Sequence, residues 1–161
     1  MLRSLGVVMV LVLLMWFLAQ PPDSDESELR TVDPSADVAA FRADVPSAPA
    51  PAGLDEQWRS TSSTLTADAL RIGWVTPDRQ YAEYAASTLP PAEVLPDLVG
   101  AKADQVEAVQ VDGQSWDRYR EADGSVSLVR SYGSTLVVVG TLRATADVAE
   151  LEVLAGSLQT D

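Results

Sequence analysis

The chain has 161 residues, enough for one domain plus appendages, with 24 acidic and 11 basic side chains and a formal charge of −13. It contains neither cysteine nor histidine, which excludes thiolate catalysis, disulfides, Cys- or His-built zinc sites and a histidine general base. The charge argues against nucleic acid, whose binding depends on neutralising phosphates with Lys and Arg.

Residues Leu5–Ala19, "LGVVMVLVLLMWFLA", carry no charge, and Arg3 precedes them. Fifteen helical residues reach about 22 Å, and Leu2, Ser4 and Gln20 bring the segment close to the minimum for a bilayer span. The expectation is an uncleaved transmembrane anchor over residues 1–20, held in the lipid bilayer through Leu5–Ala19. The rival readings are a cleaved signal peptide and a buried helix of the domain. A cut before Gln20 would put Phe17 where a small residue is needed. Arg3 on the short side places the N-terminus in the cytoplasm, and the rest of the chain outside it, by the positive-inside rule.

Residues 21–32, "PPDSDESELRTV", read as an acidic, solvated stalk. A calcium loop from Asp23, Asp25, Glu26 and Glu28 lacks the turn glycine and terminal Glu of an EF-hand, so no metal ligands are assigned. In residues 33–51, Asp33 suits an N-cap and Pro34 the first helical position. Val38, Phe41 and Val45 form a narrow apolar stripe for a short docked helix. "PSAPAPAG", Pro46–Gly53, reads as an extended connector.

Residues 52–161 form the expected main domain. Strands are predicted at Trp58–Thr66, Leu70–Thr76, Gln80–Ser87, Val106–Val111, Gln114–Arg120, Val126–Tyr132 and Thr135–Leu142. Tight turns at Pro77-Asp78-Arg79, Asp112-Gly113, Asp123-Gly124 and Gly133-Ser134 join neighbours. Pro90–Gly100 reads as a short helix or turn interrupted by Pro96. Ala146–Gln159 reads as a helix capped by Thr145, with Leu151, Leu154 and Leu158 on one face. The implied fold is α+β: a mainly antiparallel sheet of about six to seven strands, flanked by N- and C-terminal helices, plus the N-terminal transmembrane helix. The run Leu136–Val139 is apolar at every position, which makes its strand central and covered on both faces.

Strand phase sorts the tryptophans. Trp74 shares a face with Leu70 and Ile72 and belongs to the core. Trp116 shares a face with Gln114, Arg118 and Arg120, a polar setting in which an indole and guanidiniums could stack on a sugar or grip a carboxylate. Trp116, Arg118 and Arg120 are therefore the candidate ligand-binding residues, with Arg–indole stacking on a solvated face as the structural alternative.

Catalytic patterns are scarce. "GQSWD" (Gly113–Asp117) shares only its first Gly and Ser with a nucleophile elbow and sits in a hairpin. Asp112, Asp117, Glu121 and Asp123 lie near one hairpin, where a carboxylate pair could hydrolyse a glycoside, although turn acids are ordinarily solvated. No catalytic residue and no cofactor is assigned.

Several segments together resemble the family catalogued as domain of unknown function 4245. They are the N-terminal apolar run, "TVDPSADVAAFR" (Thr31–Arg42), "LDEQWRSTS" (Leu54–Ser62), "LRIGWVTPDRQY" (Leu70–Tyr81), "VDGQSWDRY" (Val111–Tyr119), "SLVRSYGSTLVVVGT" (Ser127–Thr141) and "ELEVLAGSL" (Glu150–Leu158). The chain departs from the pattern at Asp55-Glu56-Gln57, where a Pro-Gly-type turn is usual, and at Arg79, where a turn glycine is usual. The resemblance implies a single-pass membrane protein of a high-GC Gram-positive bacterium and offers no catalytic residues to carry over. The expected function is a membrane-anchored, extracytoplasmic, non-catalytic binding or cell-envelope accessory module with an unidentified envelope protein or ligand as partner. The alternatives are a domain binding a small lipid or glycan of the envelope, and a carboxylate-dependent hydrolase.

Overall fold

The computed structural model describes residues 30–160, so the expected anchor and nearly all of the acidic stalk lie outside the described residues. Among the described residues no helix is long and apolar enough to cross a membrane. From Thr31 onward the chain forms one unit.

Helix α1 spans Ser35–Asp44 and turns Phe41 into the core, with Val38 and Val45 partly buried beside it. It starts one residue later than expected. Pro34 occupies the N-cap position, and Asp33 Oδ1 accepts from the Ser35 N–H at 2.9 Å. The following Pro/Ala segment is not a free connector. Ala48 and Ala50 are buried, and strand β1 (Ala50–Pro51) pairs antiparallel with β9 (Leu158–Gln159) near the C-terminus. Two side chains hold it there: the Tyr84 hydroxyl donates to the Pro49 carbonyl, and Arg42 Nε donates to the Ala48 carbonyl at 3.2 Å. Burial pushes the Tyr84 phenol well above its ordinary pKa, so it stays a proton donor.

The main sheet has seven strands in the order β2-β3-β4-β8-β7-β6-β5, with every neighbouring pair antiparallel. These are β2 Arg59–Leu65, β3 Ala69–Val75, β4 Tyr81–Ser87, β5 Asp104–Val111, β6 Gln114–Arg120, β7 Val126–Tyr132 and β8 Thr135–Val139. Each matches a sequence-predicted strand, with ends moved by up to three residues. Strand β8 lies in the middle and is buried at all five positions, as its unbroken apolar run requires.

The two faces of the sheet carry separate cores. On one face Leu70, Ile72, Trp74, Tyr84, Val137 and Leu128 pack under α1 and α3 (Val148–Gly156). On the other, Ala85, Val129, Leu136 and Val138 meet Leu98 and Val99 of α2 (Pro91–Val99). Trp74 is 5% exposed and in phase with Leu70 and Ile72, so it is a core residue. Opposite it, Gly73 makes room for an aromatic ring: a Cβ there would stand 2.2 Å from the Tyr81 hydroxyl.

The C-terminal helix is shorter than its apolar periodicity suggests. Asp147, in extended geometry, caps it by accepting from the Glu150 N–H at 2.9 Å, while Thr145 Oγ1 accepts from the Tyr81 N–H at 2.8 Å. Leu158 and Gln159 leave the helix to pair with β1. In the turn after β3, Arg79 adopts φ 60, the left-handed conformation a glycine would take without steric cost. Asp112 (φ 47) and Gly113 (φ 73) give the β5–β6 hairpin the two positive-φ residues of a type I′ turn.

Candidate functional site

The sequence-predicted site residues lie on β6, next to the sheet edge. Trp116, Arg118 and Arg120 do share one strand face, but that face belongs to the α3 side of the core. Trp116 is 1% exposed, packed in the cluster that holds Val111, Leu154 and Ala155, and its ring meets Tyr132 edge-on with centroids 6.3 Å apart. The polar neighbours in the sequence concealed this, because the cover comes from α3, whose Leu154 and Ala155 share the cluster with Trp116 and whose Gly156 stands against Val111 and Asp112. A stacking platform needs an exposed ring, and this indole has none to offer. The cation–π contact of the region is instead Arg130 over Tyr132, 5.1 Å from the centroid.

The two arginines reach solvent to different extents. Arg118 is half-buried and pairs with Glu107 of β5 at 2.5 Å, an ion pair whose carboxylate partner is exposed. Arg120 is exposed and registers with Asp104 at the start of β5. Such rim pairs contribute little to stability but set the local charge pattern of the edge.

The four hairpin acids diverge. Asp112 sits in the β5–β6 turn against Gly156 at the end of α3, and Asp123 in the turn at the other end of β6 accepts from the Ser125 N–H at 2.8 Å. That backbone donor holds the Asp123 carboxyl below its ordinary value. A seven-residue strand separates the two turns by about 20 Å, well beyond the roughly 5–9.5 Å a glycosidase pair requires. Glu121 lies against Gly100, and Asp117 registers with Val129 on the face opposite Trp116. Ser115 of "GQSWD" is an ordinary strand residue whose carbonyl accepts from Arg130. Among the described residues no three acidic side chains converge as a metal ion would require.

Among the described residues, hollows open beside two of the helices. One, about 250 Å³, lies between α2 and the sheet, lined by Pro91, Leu95, Pro96, Ala103 and Tyr119. Burial, then the nearby Asp117 charge, raises the Tyr119 phenol pKa, and its hydroxyl donates to Gln105 at 3.4 Å. The other, about 630 Å³, runs between α1 and β1 and is lined by Val38, Ala39, Arg42, Ala50 and Pro51.

A polar cluster that the sequence reading passed over sits on the α2 face. Glu83, 5% exposed, receives Arg71 Nε on Oε1 and Nη2 on Oε2, both at 2.9 Å, and the Thr141 hydroxyl also donates to Oε2. The signal was available, since Glu83 is the lone acid in "YAEYAAS" (Tyr81–Ser87), whose neighbours are small or aromatic. Fork-to-fork pairing satisfies the carboxylate and ties β3, β4 and the segment after β8 together.

A family model described as "Protein of unknown function (DUF4245)" matches residues 1–158. The chain belongs to that family. No curated protein and no solved structure matches it.

Proposed function

We propose, with membership of this family as the premise, that the chain is a membrane-anchored, extracytoplasmic module that acts by binding rather than by catalysis. The observation that carries the reading is the uncharged run Leu5–Ala19 behind Arg3, followed by a proline-containing acidic tract before the folded unit begins. Such a run partitions into hydrocarbon, the cation stays on the cytoplasmic side, and the acidic tract is repelled by anionic headgroups. The domain would then stand off the bilayer. Glu83 is engaged by Arg71 and Thr141, and Arg118 by Glu107, which gives these charged groups structural roles within the sheet.

The test is extraction of cell membranes with alkaline carbonate, followed by sequencing of the mature N-terminus. The reading expects the chain to stay in the pellet with residues 1–20 intact. Release into the wash, or a mature end near Gln20, overturns it. Site-specific crosslinking in intact cells then identifies the partner.

The hollow between α1 and β1 favours a second reading, a small envelope ligand such as a lipid or glycan. At about 630 Å³, with largely aliphatic walls and the polar groups of Arg42, Asp33 and Ser35 at its margin, it falls within the size range of small-molecule sites. A lipid or glycan that co-purifies stoichiometrically, with no protein captured, selects this reading over the first.

A further inference from the structure

We propose that the open face of strands β2–β4, centred on the Tyr81 ring, is a binding surface for an acidic polysaccharide. It rests on the reading of the chain as an extracytoplasmic module that binds. The surface lies on the side of the sheet opposite α1, away from the hollow between α1 and β1.

On this side α2 packs against Ala85, Val129, Leu136 and Val138, residues of β4, β7 and β8. Toward the β2 edge the same side stays open: Arg59, Ser62 and Thr64 are exposed, and Arg71 and Val75 are half-buried. Residues paired directly across strands share a face, so the register sets these side chains in rows. One row is Arg59, Val75 and Tyr81, and the next is Ser62, Gly73 and Glu83. Tyr81 does not stand up from its row. A Cβ on Gly73 would meet the Tyr81 hydroxyl at 2.2 Å, Ser62 Oγ at 2.6 Å and Tyr81 Cζ at 2.7 Å. The half-buried ring therefore reaches from β4 across the bare backbone of β3 toward β2, and it lies along the sheet. The missing side chain at Gly73 is what lets it lie down. A rigid ring laid on an open strand face is a platform for the C–H face of a sugar.

The charges beside the ring select the occupant. The chain carries −13 overall, yet two cations flank Tyr81. Arg59 sits two strands away in the same row, about 10 Å between Cα atoms at ordinary strand spacing. Arg143 lies on the other side of β4, between Thr141, which donates to Glu83, and Thr145, which accepts from the Tyr81 N–H. Both arginines are exposed, and neither guanidinium has a partner among the described residues. The neighbouring acids are already engaged: Glu83 receives Arg71 and Thr141, and Asp147 caps α3. Asp78 shares the β3–β4 turn with another cation, Arg79. Guanidiniums pair with carboxylates through parallel hydrogen bonds, and the Ser62 and Thr64 hydroxyls can meet sugar hydroxyls. A flat face suits a polymer that makes repeated shallow contacts, whereas a small molecule takes a concave site. An acidic peptide is disfavoured, because the β2 edge where it would add as a strand already accepts the Val32 N–H on the Ser60 carbonyl at 2.9 Å.

The experiment titrates the full-length chain, in a neutral detergent, with three probes by calorimetry. They are an oligogalacturonate, the same oligosaccharide fully methyl-esterified, and a polyglutamate of equal charge. The oligogalacturonate should bind with a Kd of about 0.1–1 mM, and the other two at least roughly tenfold more weakly. Arg59→Ala should weaken the oligogalacturonate by roughly tenfold without moving the urea midpoint. Lys102→Ala removes an exposed cation between α2 and β5 and should leave binding unchanged. Tyr81→Phe keeps the ring and should bind within about twofold of the parent, while Tyr81→Ser should lose roughly tenfold. If Tyr81→Ser does not fold, Arg59→Ala against Lys102→Ala decides alone. The proposal is overturned if the methyl ester binds equally, if Arg59→Ala and Lys102→Ala cost the same, or if no binding is seen. Equal binding of polyglutamate would assign the face to an acidic peptide and also overturn it. None of these outcomes affects the carbonate and N-terminal sequencing result, so a failure here is distinguishable from a failure of the anchored-module reading.

Discussion

Replacing Arg71 with Met should be the most informative single change in the sheet, because it strips two charge-assisted hydrogen bonds from a carboxylate that is 5% exposed. Breaking a fully buried pair from one side costs about 3–5 kcal/mol. The Arg71 side chain is 36% exposed, so water can reach the vacated space and partly solvate Glu83. Thr141 also keeps its hydrogen bond. Discounting for that access leaves about 2–3 kcal/mol. Changing Glu83 to Leu in the same chain removes the stranded charge, and the double variant should regain most of the loss. Equilibrium urea unfolding followed by tryptophan fluorescence measures the wild type, the two single variants Arg71→Met and Glu83→Leu, and the double variant as one cycle. A loss below about 0.5 kcal/mol for Arg71→Met, or a double variant no more stable than the single, would refute the role assigned to this pair.

Trp116→Ala should cost about 3–5 kcal/mol in the same unfolding assay, while Arg120→Ala, on an exposed side chain, should stay within about 0.5 kcal/mol. Gly73→Ala should destabilise by about 1–3 kcal/mol, and Tyr81→Ser in the same chain should relieve only part of it, because the added methyl would stand 2.2 Å from the Tyr81 hydroxyl but also 2.6 Å from Ser62 Oγ. Thermal stability should be nearly flat between about pH 6 and 8, since the chain has no histidine. On the acid side, backbone donors from Ser35 and Ser125 lower the pKa of Asp33 and Asp123. Their contribution is therefore complete above the ordinary value of 3.8 and lost as pH falls through the lowered folded values. On the alkaline side, the buried Tyr84 phenol has a raised folded pKa. Its contribution is complete below the ordinary value of 10.0 and lost as pH rises above it, so Tyr84→Phe should flatten the alkaline limb.

The strands were legible because alternation and turn chemistry are local. Asp112-Gly113 and Asp123-Gly124 set their hairpins, and the apolar run at Leu136–Val139 announced the central strand. What escaped the sequence depends on contacts distant along the chain. Ala50 and Pro51 look like linker residues until Leu158 and Gln159 arrive to pair with them. Thr145 looks like a helix cap until β4 supplies the Tyr81 N–H, leaving the cap to Asp147. The site was the least legible. Phase placed Trp116, Arg118 and Arg120 together correctly, but only the path of α3 decides that the indole is enclosed while Arg120 stays in water. The Arg71–Glu83 pair is diagonal across a hairpin, so either residue alone reads as an ordinary surface charge.

The absence of cysteine gives the most direct test of the anchored, extracytoplasmic module. A single cysteine at Ser134, exposed in the β7–β8 turn, would be the chain's one thiol. Intact cells are treated with a membrane-impermeant maleimide, and the membranes are then washed with carbonate. The account predicts full labelling before lysis and retention of the labelled chain in the pellet. Labelling only after lysis, or a labelled chain released into the wash, would contradict it.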